Sequence, residues 1–344
     1  MTRRALVTGG CGFIGSHVVR GLLADGWEVT NLDKLTYASN PANLADVASD
    51  ASYRFVQGDI CDAPLVRGLV SEADLVLNFA AETHVDRSLL DPGVFVRTDV
   101  EGVVTLLEAV RANARACLVH MSTDEVFGSL EAPREAAEDA PFAPTSPYSA
   151  SKAAAELQLR AYAESYGMPI TVLRSCNVYG PNQHIEKFIP LFATRAMAGE
   201  ELPLYGDGEN EREWLFVDDL VEAVRLVIGS LPASAGVSAV HVGSGERLPN
   251  MRVASQICEL AERPVSLIRA VNDRPGHDRR YALDSSRLRS FGWAPKVSFD
   301  EGIARTVRWY GDNAATWTNA ATAEFAGYLR DQYGERLGRP AANS

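Results

Sequence analysis

Ala5-Leu6-Val7-Thr8-Gly9-Gly10-Cys11-Gly12-Phe13-Ile14-Gly15 decides the fold of this chain. The apolar run Ala5 to Val7 stops at Thr8-Gly9-Gly10, and Phe13 to Ala24 then carries apolar residues at helical spacing. That is strand, glycine turn, helix. In this context the spacing Gly9-x-x-Gly12-x-x-Gly15 permits a tight turn and lets backbone N–H groups approach a pyrophosphate, whose charge is favoured at a helix N-terminus. Asp33 ends the next strand, eighteen residues after Gly15. A carboxylate there accepts hydrogen bonds from ribose hydroxyls and repels a 2′-phosphate, so NAD is expected in preference to NADP. Asp59-Ile60, after the third strand, reads equally as an adenine contact or as a strand-end cap.

Working outward, Glu28 to Leu32, Arg54 to Gln57, Leu75 to Phe79, Cys117 to Met121 and Ile170 to Arg174 are further short strands. Helical patterns, among them Pro92 to Ala112 and Tyr148 to Tyr166, separate the later ones. Strands alternating with helices predict a parallel sheet covered on both faces, a doubly wound α/β fold. The chain of 344 residues exceeds the roughly 250–300 at which single cores stop growing. We expect a dinucleotide-binding Rossmann domain over 1–180 that holds the catalytic residues. A smaller C-terminal substrate-binding domain is expected mainly over 181–330, with the chain crossing back to the sheet near 216–226. Residues 331–344 read as a polar tail.

Composition narrows the function. There are 33 Lys+Arg against 45 Asp+Glu, a net charge of −12, which argues against a nucleic-acid surface because such surfaces cluster cations on phosphates. Five cysteines, Cys11, Cys61, Cys117, Cys176 and Cys258, lie far apart without C-x-x-C spacing, so neither a zinc site nor a disulfide framework is expected. Arg3-Arg4 is followed by interrupting glycines, not by an apolar segment. Leu226 to Gly245 has no charged residue over twenty positions, yet its proline, glycines and serines make it two elements joined by a loop. The expectation is a cytoplasmic protein with no membrane span and no metal.

Tyr148-x-x-x-Lys152 places a phenol and an ammonium on one helix face. A phenol titrating near 10 becomes a base at neutral pH only where a cation favours the phenolate, and Lys152 is placed to supply that field. Thr123, Asp124 and Glu125 follow a strand whose carboxyl end is where ligands sit in parallel sheets. An elimination of water, for example, requires one group to take a C–H proton and another to protonate the departing hydroxyl. Two adjacent carboxyls with different pKa values can divide those tasks.

Met121-Ser122-Thr123-Asp124-Glu125-Val126-Phe127-Gly128, with Tyr148, Lys152 and the glycine turn, resembles the extended short-chain dehydrogenase/reductase family, specifically its dTDP-glucose 4,6-dehydratase branch. Supporting segments are Asp33 to Tyr37, Ala80 to Ser88, Asn177 to Pro181, Glu186 to Pro190 and Asp273 to Tyr281, so the resemblance spans Ala5 to about Gly311. It implies an NAD-dependent hydro-lyase of deoxysugar biosynthesis that converts dTDP-glucose to dTDP-4-keto-6-deoxyglucose. Tyr148, aided by Lys152 and Thr123, would take the O4 proton as hydride leaves C4 for NAD⁺. Glu125 would remove the C5 proton and Asp124 protonate the leaving C6 hydroxyl, after which hydride returns to C6.

The resemblance also implies that Phe13, Ile14, Lys34, Leu35, Thr36, Ala80, Ala81, Glu82, Thr98, Cys176 and Asn177 complete the cofactor contacts. Arg212 would grip the diphosphate, with His277 and Asn250 as further contacts. His84, Thr123, Asn177, Glu186, Lys187, Leu202, Pro203, Tyr205 and Tyr281 would shape the base and sugar pocket. A homodimer through the helices at Pro92 to Ala112 and Tyr148 to Tyr166 is implied as well. Asp99 stands where the family usually has Asn, and Phe127 where Tyr is frequent. A 4-epimerase or decarboxylase acting on nucleotide sugars would share Tyr148 and Lys152 without needing the acidic pair, and a UDP- or GDP-sugar 4,6-dehydratase would share most of the scaffold. A dinucleotide-sensing regulator would tend to lose Tyr148 and Lys152, and both are present.

Overall fold

The computed structural model describes residues 3–113, 115–230, 236–314, 327, 329, 330 and 333. The first half runs β1 (Arg4–Thr8), α1 (Phe13–Ala24), β2 (Glu28–Asp33), β3 (Tyr53–Gln57), α2 (Ala63–Ser71), β4 (Leu75–Asn78), α3 (Val85–Leu90), α4 (Pro92–Phe95), α5 (Gly102–Ala112), β5 (Cys117–Thr123), α6 (Pro147–Tyr166) and β6 (Pro169–Ser175). The second runs β7 (Asn177–Tyr179), α7 (Phe188–Ala198), β8 (Leu202–Tyr205), β9 (Glu211–Phe216), α8 (Val217–Gly229), β10 (Gly236–Val242), β11 (Arg247–Pro249), α9 (Asn250–Leu260), β12 (Ile268–Val271), α10 (Ser286–Ser290) and α11 (Phe299–Asp312).

Seven parallel strands form one sheet in the order β10-β6-β5-β4-β1-β2-β3. Its strands are apolar on both sides because helices cover both faces. Successive residues therefore enter opposite cores. Leu6, Val76, Leu118 and Val172 pack with residues of α2, α5 and α6, whereas Val7, Leu77, Val119 and Leu173 pack with residues of α1 and α8. This is the doubly wound fold that the strand and helix alternation predicts.

Two details differ from the sequence expectation. The helix over Pro92 to Ala112 is divided, with a π-helical turn at Val96–Glu101 between α4 and α5; such turns shift a helix face by one residue and recur at functional sites. The return of the second half also extends beyond 216–226. Helix α8 lies on α1, Val221 meeting Gly21 and Arg225 pairing with Asp25, and β10 adds the outermost strand beside β6. The remaining strands form two small sheets, β11-β9-β7 and β12-β8. Among the described residues no helix is long and apolar enough to cross a membrane, no cluster of His, Cys, Asp or Glu could hold a metal, and the five cysteines are unbridged.

Candidate active site

Two adjoining cavities open at the carboxyl ends of the strands, where such sheets hold ligands. The first begins at the glycine turn. Gly9 has φ +70°, and a Cβ there would lie 2.7 Å from the Ala80 nitrogen. A Cβ on Gly15 would fall 2.2 Å from the Gly9 carbonyl. Both positions thus need glycine, one for the turn and the other for the approach of α1, whose first turn carries no acidic residue. Asp33 accepts from the Cys11 N–H at 2.9 Å and the Ser39 hydroxyl at 2.8 Å, bracing the turn from the end of β2 while facing the cavity. Lys34 and Asp59 form an ion pair at 2.7 Å further along the wall. Glycine cradle, helix N-terminus and terminal carboxylate together fit a dinucleotide.

At the far end of this cavity α6 delivers the phenol. Ser146 and Ser149 form a capping box that starts α6 directly after Thr145, with Pro147 in the first turn, so Tyr148 and Lys152 follow on its first two turns facing β5. Tyr148 shares a side-chain hydrogen bond with Thr123, the last residue of β5. Burial, then Glu125 and Asp99, hold the phenol well above its ordinary pKa. Lys152 Nζ donates to the Met121 carbonyl at 2.8 Å, and burial holds the ammonium below its usual range.

The acidic pair turns on Thr123. Its hydroxyl caps a short 3-10 turn at Asp124–Phe127, accepting from the Glu125 N–H at 3.2 Å and lying 3.1 Å from Asp124 Oδ1. The two carboxyls then meet different surroundings. Asp124 is 3% exposed, its Oδ2 has no hydrogen-bond partner, and burial, Glu125 and Glu213 raise its pKa far above the carboxylate range. Glu125 is also raised by burial, but Arg274, Arg212 and Lys187 oppose that shift. Asp124 is therefore the group that holds a proton, and Glu125 the one with cations to support its charge.

Those cations line the second cavity. Arg212 Nη2 donates to the Asp278 carbonyl at 2.9 Å, and its guanidinium covers the Tyr281 ring at 4.3 Å. Arg274 Nη1 reaches Asp86 Oδ1 at 3.3 Å, and the Tyr205 hydroxyl reaches Asp86 Oδ2 at 3.0 Å. His277 sits edge-on to Tyr205 and bonds Asp273 at 2.5 Å; burial and the two arginines lower its pKa to about 4, so it is a neutral donor. Lys187 donates to the Thr83 carbonyl, and burial lowers its pKa to about 8. Asn250 Oδ1 and Asn177 Oδ1 are buried without hydrogen-bond partners.

The first cavity gathers Gly9, Gly12, Phe13, Ile14, Gly15, Asp33, Lys34, Thr36, Asp59, Ile60, Ala80, Ala81, Glu82, Thr98, Thr123, Asp124, Glu125, Tyr148, Lys152, Cys176 and Asn177. Leu35 is outside it, at φ +60°, donating its N–H to Asp33. His84, Glu186, Lys187, Pro203, Tyr205, Arg212, Asn250 and His277 line the second. Leu202 is buried in the core and lines neither cavity, whereas Pro203, Leu204 and Tyr205, which follow it on β8, line the second. Tyr281 lies behind the wall, its hydroxyl 2.8 Å from Asp278 Oδ2 and 3.5 Å from Glu125 Oε2. Sequence reading did not single out Arg274, Asp86 or Tyr333. The segments around the first two pointed there, whereas Tyr333, in the expected tail, is buried against Tyr205 by contacts that leave no local pattern. The rest of 331–344 lies outside the described residues.

A dinucleotide cradle leading to a Tyr-Lys pair, with an acidic couple and a cationic annex beyond, defines the class: an extended short-chain dehydrogenase/reductase. The family model for GDP-mannose 4,6 dehydratase matches residues 6–306. The chain is 47% identical over 323 residues to a dTDP-glucose 4,6-dehydratase of Streptomyces niveus, covering 91% of this chain and 94% of that one. For a dTDP-glucose 4,6-dehydratase of Streptomyces griseus the identity is 48% over 322 residues, with 92% and 97% covered. The solved structure of DesIV, the dTDP-glucose 4,6-dehydratase of Streptomyces venezuelae with NAD and dTDP bound, superposes with a TM-score of 0.88 at 46% identity, covering 92% of this chain and 99% of that one. The chain belongs to this dehydratase family, in the branch of the dTDP-glucose 4,6-dehydratases.

Proposed function

We propose that this chain converts dTDP-glucose to dTDP-4-keto-6-deoxyglucose and water. The observation that carries the reading is the divided environment of Asp124 and Glu125 beside Tyr148. The nucleotide lies in the second cavity, its diphosphate on Arg212 and Arg274 with His277 on the same wall, and the hexose reaches between Tyr148 and the acidic pair. NAD⁺, when bound along the glycine turn, would supply a reversible hydride acceptor that takes the C4 hydride and returns it at C6 as C5 is reprotonated, and a positive charge near Tyr148. Tyr148, as the phenolate that this charge and Lys152 favour against the effect of burial, accepts the O4 proton as C4 is oxidised. The 4-ketone acidifies C5–H, which Glu125 removes. Asp124, which burial and Glu125 bias toward its protonated form, gives that proton to the departing C6 hydroxyl. The reading includes a first domain for cofactor and chemistry, a second for the sugar nucleotide, and a cytoplasmic homodimer. Incubation with dTDP-glucose in D₂O tests it: a 4-keto-6-deoxy product carrying deuterium at C5 is expected, and dTDP-galactose or unchanged substrate overturns it.

A further inference from the structure

In the proposed reaction a hexose fills the space before Glu125, so the proton taken from C5 needs another way out if it is to reach water. A chain of side chains runs behind the cavity wall. Glu125 Oε2 lies 3.5 Å from the Tyr281 hydroxyl, which donates to Asp278 Oδ2 at 2.8 Å. The Thr145 hydroxyl donates to the same Asp278 oxygen at 2.5 Å. Tyr281 and Asp278 are buried, whereas Thr145 is exposed, directly before the Ser146 cap of α6. Gly276, at φ +66°, seats the loop that carries Asp278 on the start of α6, since a Cβ there would lie 2.7 Å from the Thr145 carbonyl. Arg212 covers the Tyr281 ring at 4.3 Å and donates to the Asp278 carbonyl at 2.9 Å, which fixes both inner members. The other groups near Glu125 offer no such exit. Arg212 and Arg274 keep their protons, Lys187 donates to the Thr83 carbonyl, and Asp124 is enclosed.

We propose that Tyr281, Asp278 and Thr145 form a proton path through which Glu125 exchanges the C5 proton with bulk water. The inference rests on the dehydratase reading of the site. The phenol has one proton and two carboxyls to receive it. Asp278 holds it at 2.8 Å, and an ionised Glu125 at 3.5 Å stays at the limit of a hydrogen bond. Once Glu125 carries the C5 proton it becomes the donor, and the phenol oxygen accepts from it with its own proton already aimed at Asp278. The chain is then head to tail. The Glu125 carboxyl gives its proton to the phenol oxygen as the phenol proton passes to Asp278 Oδ2. Asp278 gives that proton to the Thr145 oxygen as the hydroxyl proton of Thr145 passes to water. Glu125 and Asp278 end as carboxylates, both hydroxyls keep one proton each, and their rotation resets the chain. Burial keeps the Tyr281 phenol protonated, as a relay through a neutral hydroxyl requires. In reverse, the same path brings a solvent proton to Glu125 for C5.

The isotope at C5 of the product, read by NMR early in the turnover of protiated dTDP-glucose in D₂O, tests the path separately from the rate. Wild-type product is expected to carry deuterium. In Asp278→Asn the amide oxygen still accepts from Tyr281 but does not take its proton, so Glu125 returns to C5 the proton it removed. The protium-to-deuterium ratio there is expected to rise by about tenfold or more. Tyr281→Phe gives the same rise. Thr145→Val, whose methyl group fills the place of the hydroxyl, gives a smaller one. Ser129→Ala, which removes the hydroxyl that accepts the N–H groups of Arg279 and Arg280 in the same loop, leaves the ratio at the wild-type value. A merely structural role of Asp278 would lower kcat and leave the ratio unmoved. Should Asp278→Asn not fold, Thr145→Val at the exposed end decides. An unchanged ratio in the folded variants, an equal rise in Ser129→Ala, or protium at C5 of the wild-type product overturns the path while the dehydratase reading stands. Absence of the 4-keto-6-deoxy product from the wild type overturns that reading, and the path with it.

Discussion

Glu125 and Asp124 are neighbours in sequence with opposite tasks in the proposed reaction, and single substitutions would separate its two half-reactions. Glu125→Gln removes the base for C5 while Tyr148 and Lys152 stay in place. Transient NADH absorbance is expected to persist, and water loss to fall by about 10²–10⁴-fold, measured by product NMR. Dehydration at the original rate would reassign the C5 base. Asp124→Asn takes away the proton donor and keeps the base, so C5–H exchange in D₂O continues while elimination slows by a similar factor. The pH dependence follows from the same environments. Asp124, raised by burial and Glu125, acts in its protonated form, so the elimination step weakens as pH climbs through its raised value. Lys187, lowered to about 8, supports the Glu125 charge only in its ammonium form, so base strength at C5 also changes above that pH.

At the scale of elements, the site depends on how α6 is started and how it is anchored. The capping box at Ser146 satisfies N–H groups that no helix can satisfy internally. Ser146→Ala is expected to lower stability by about 1 kcal/mol in chemical denaturation, with Tyr148 less precisely held. Glu156 binds α6 to β6 through Arg174 in a pair that is buried on both sides. Glu156→Ala leaves the guanidinium enclosed and unpaired, a loss of about 3–5 kcal/mol by the same measurement. On the cofactor side, Gly15→Ala pushes α1 away from the Gly9 carbonyl. NAD affinity, read by calorimetric titration, should fall by more than about tenfold while the melting temperature of the unliganded protein changes less.

For the whole molecule, a net charge of −12 and a dianionic ligand are compatible because Arg212, Arg274 and Lys187 converge on one cavity. Val94 on α4, Val96 just after it and Leu157 on α6 are exposed apolar side chains on the helices through which the proposed homodimer would close. Leu157→Glu with Val96→Glu is expected to yield monomers in analytical ultracentrifugation, and an unchanged mass would place the interface elsewhere. The glycine turn, the alternation of strands and helices, and the Thr-Asp-Glu sequence were legible in the chain itself, because each is a local pattern whose spacing is dictated by backbone geometry. The difference between the surroundings of Asp124 and Glu125 was not, since it depends on Arg274, Arg212 and Lys187 arriving from other parts of the chain. Local chemistry thus determined what kind of site this protein builds, and the long-range packing of charges in a low-dielectric interior decided which group carries which proton.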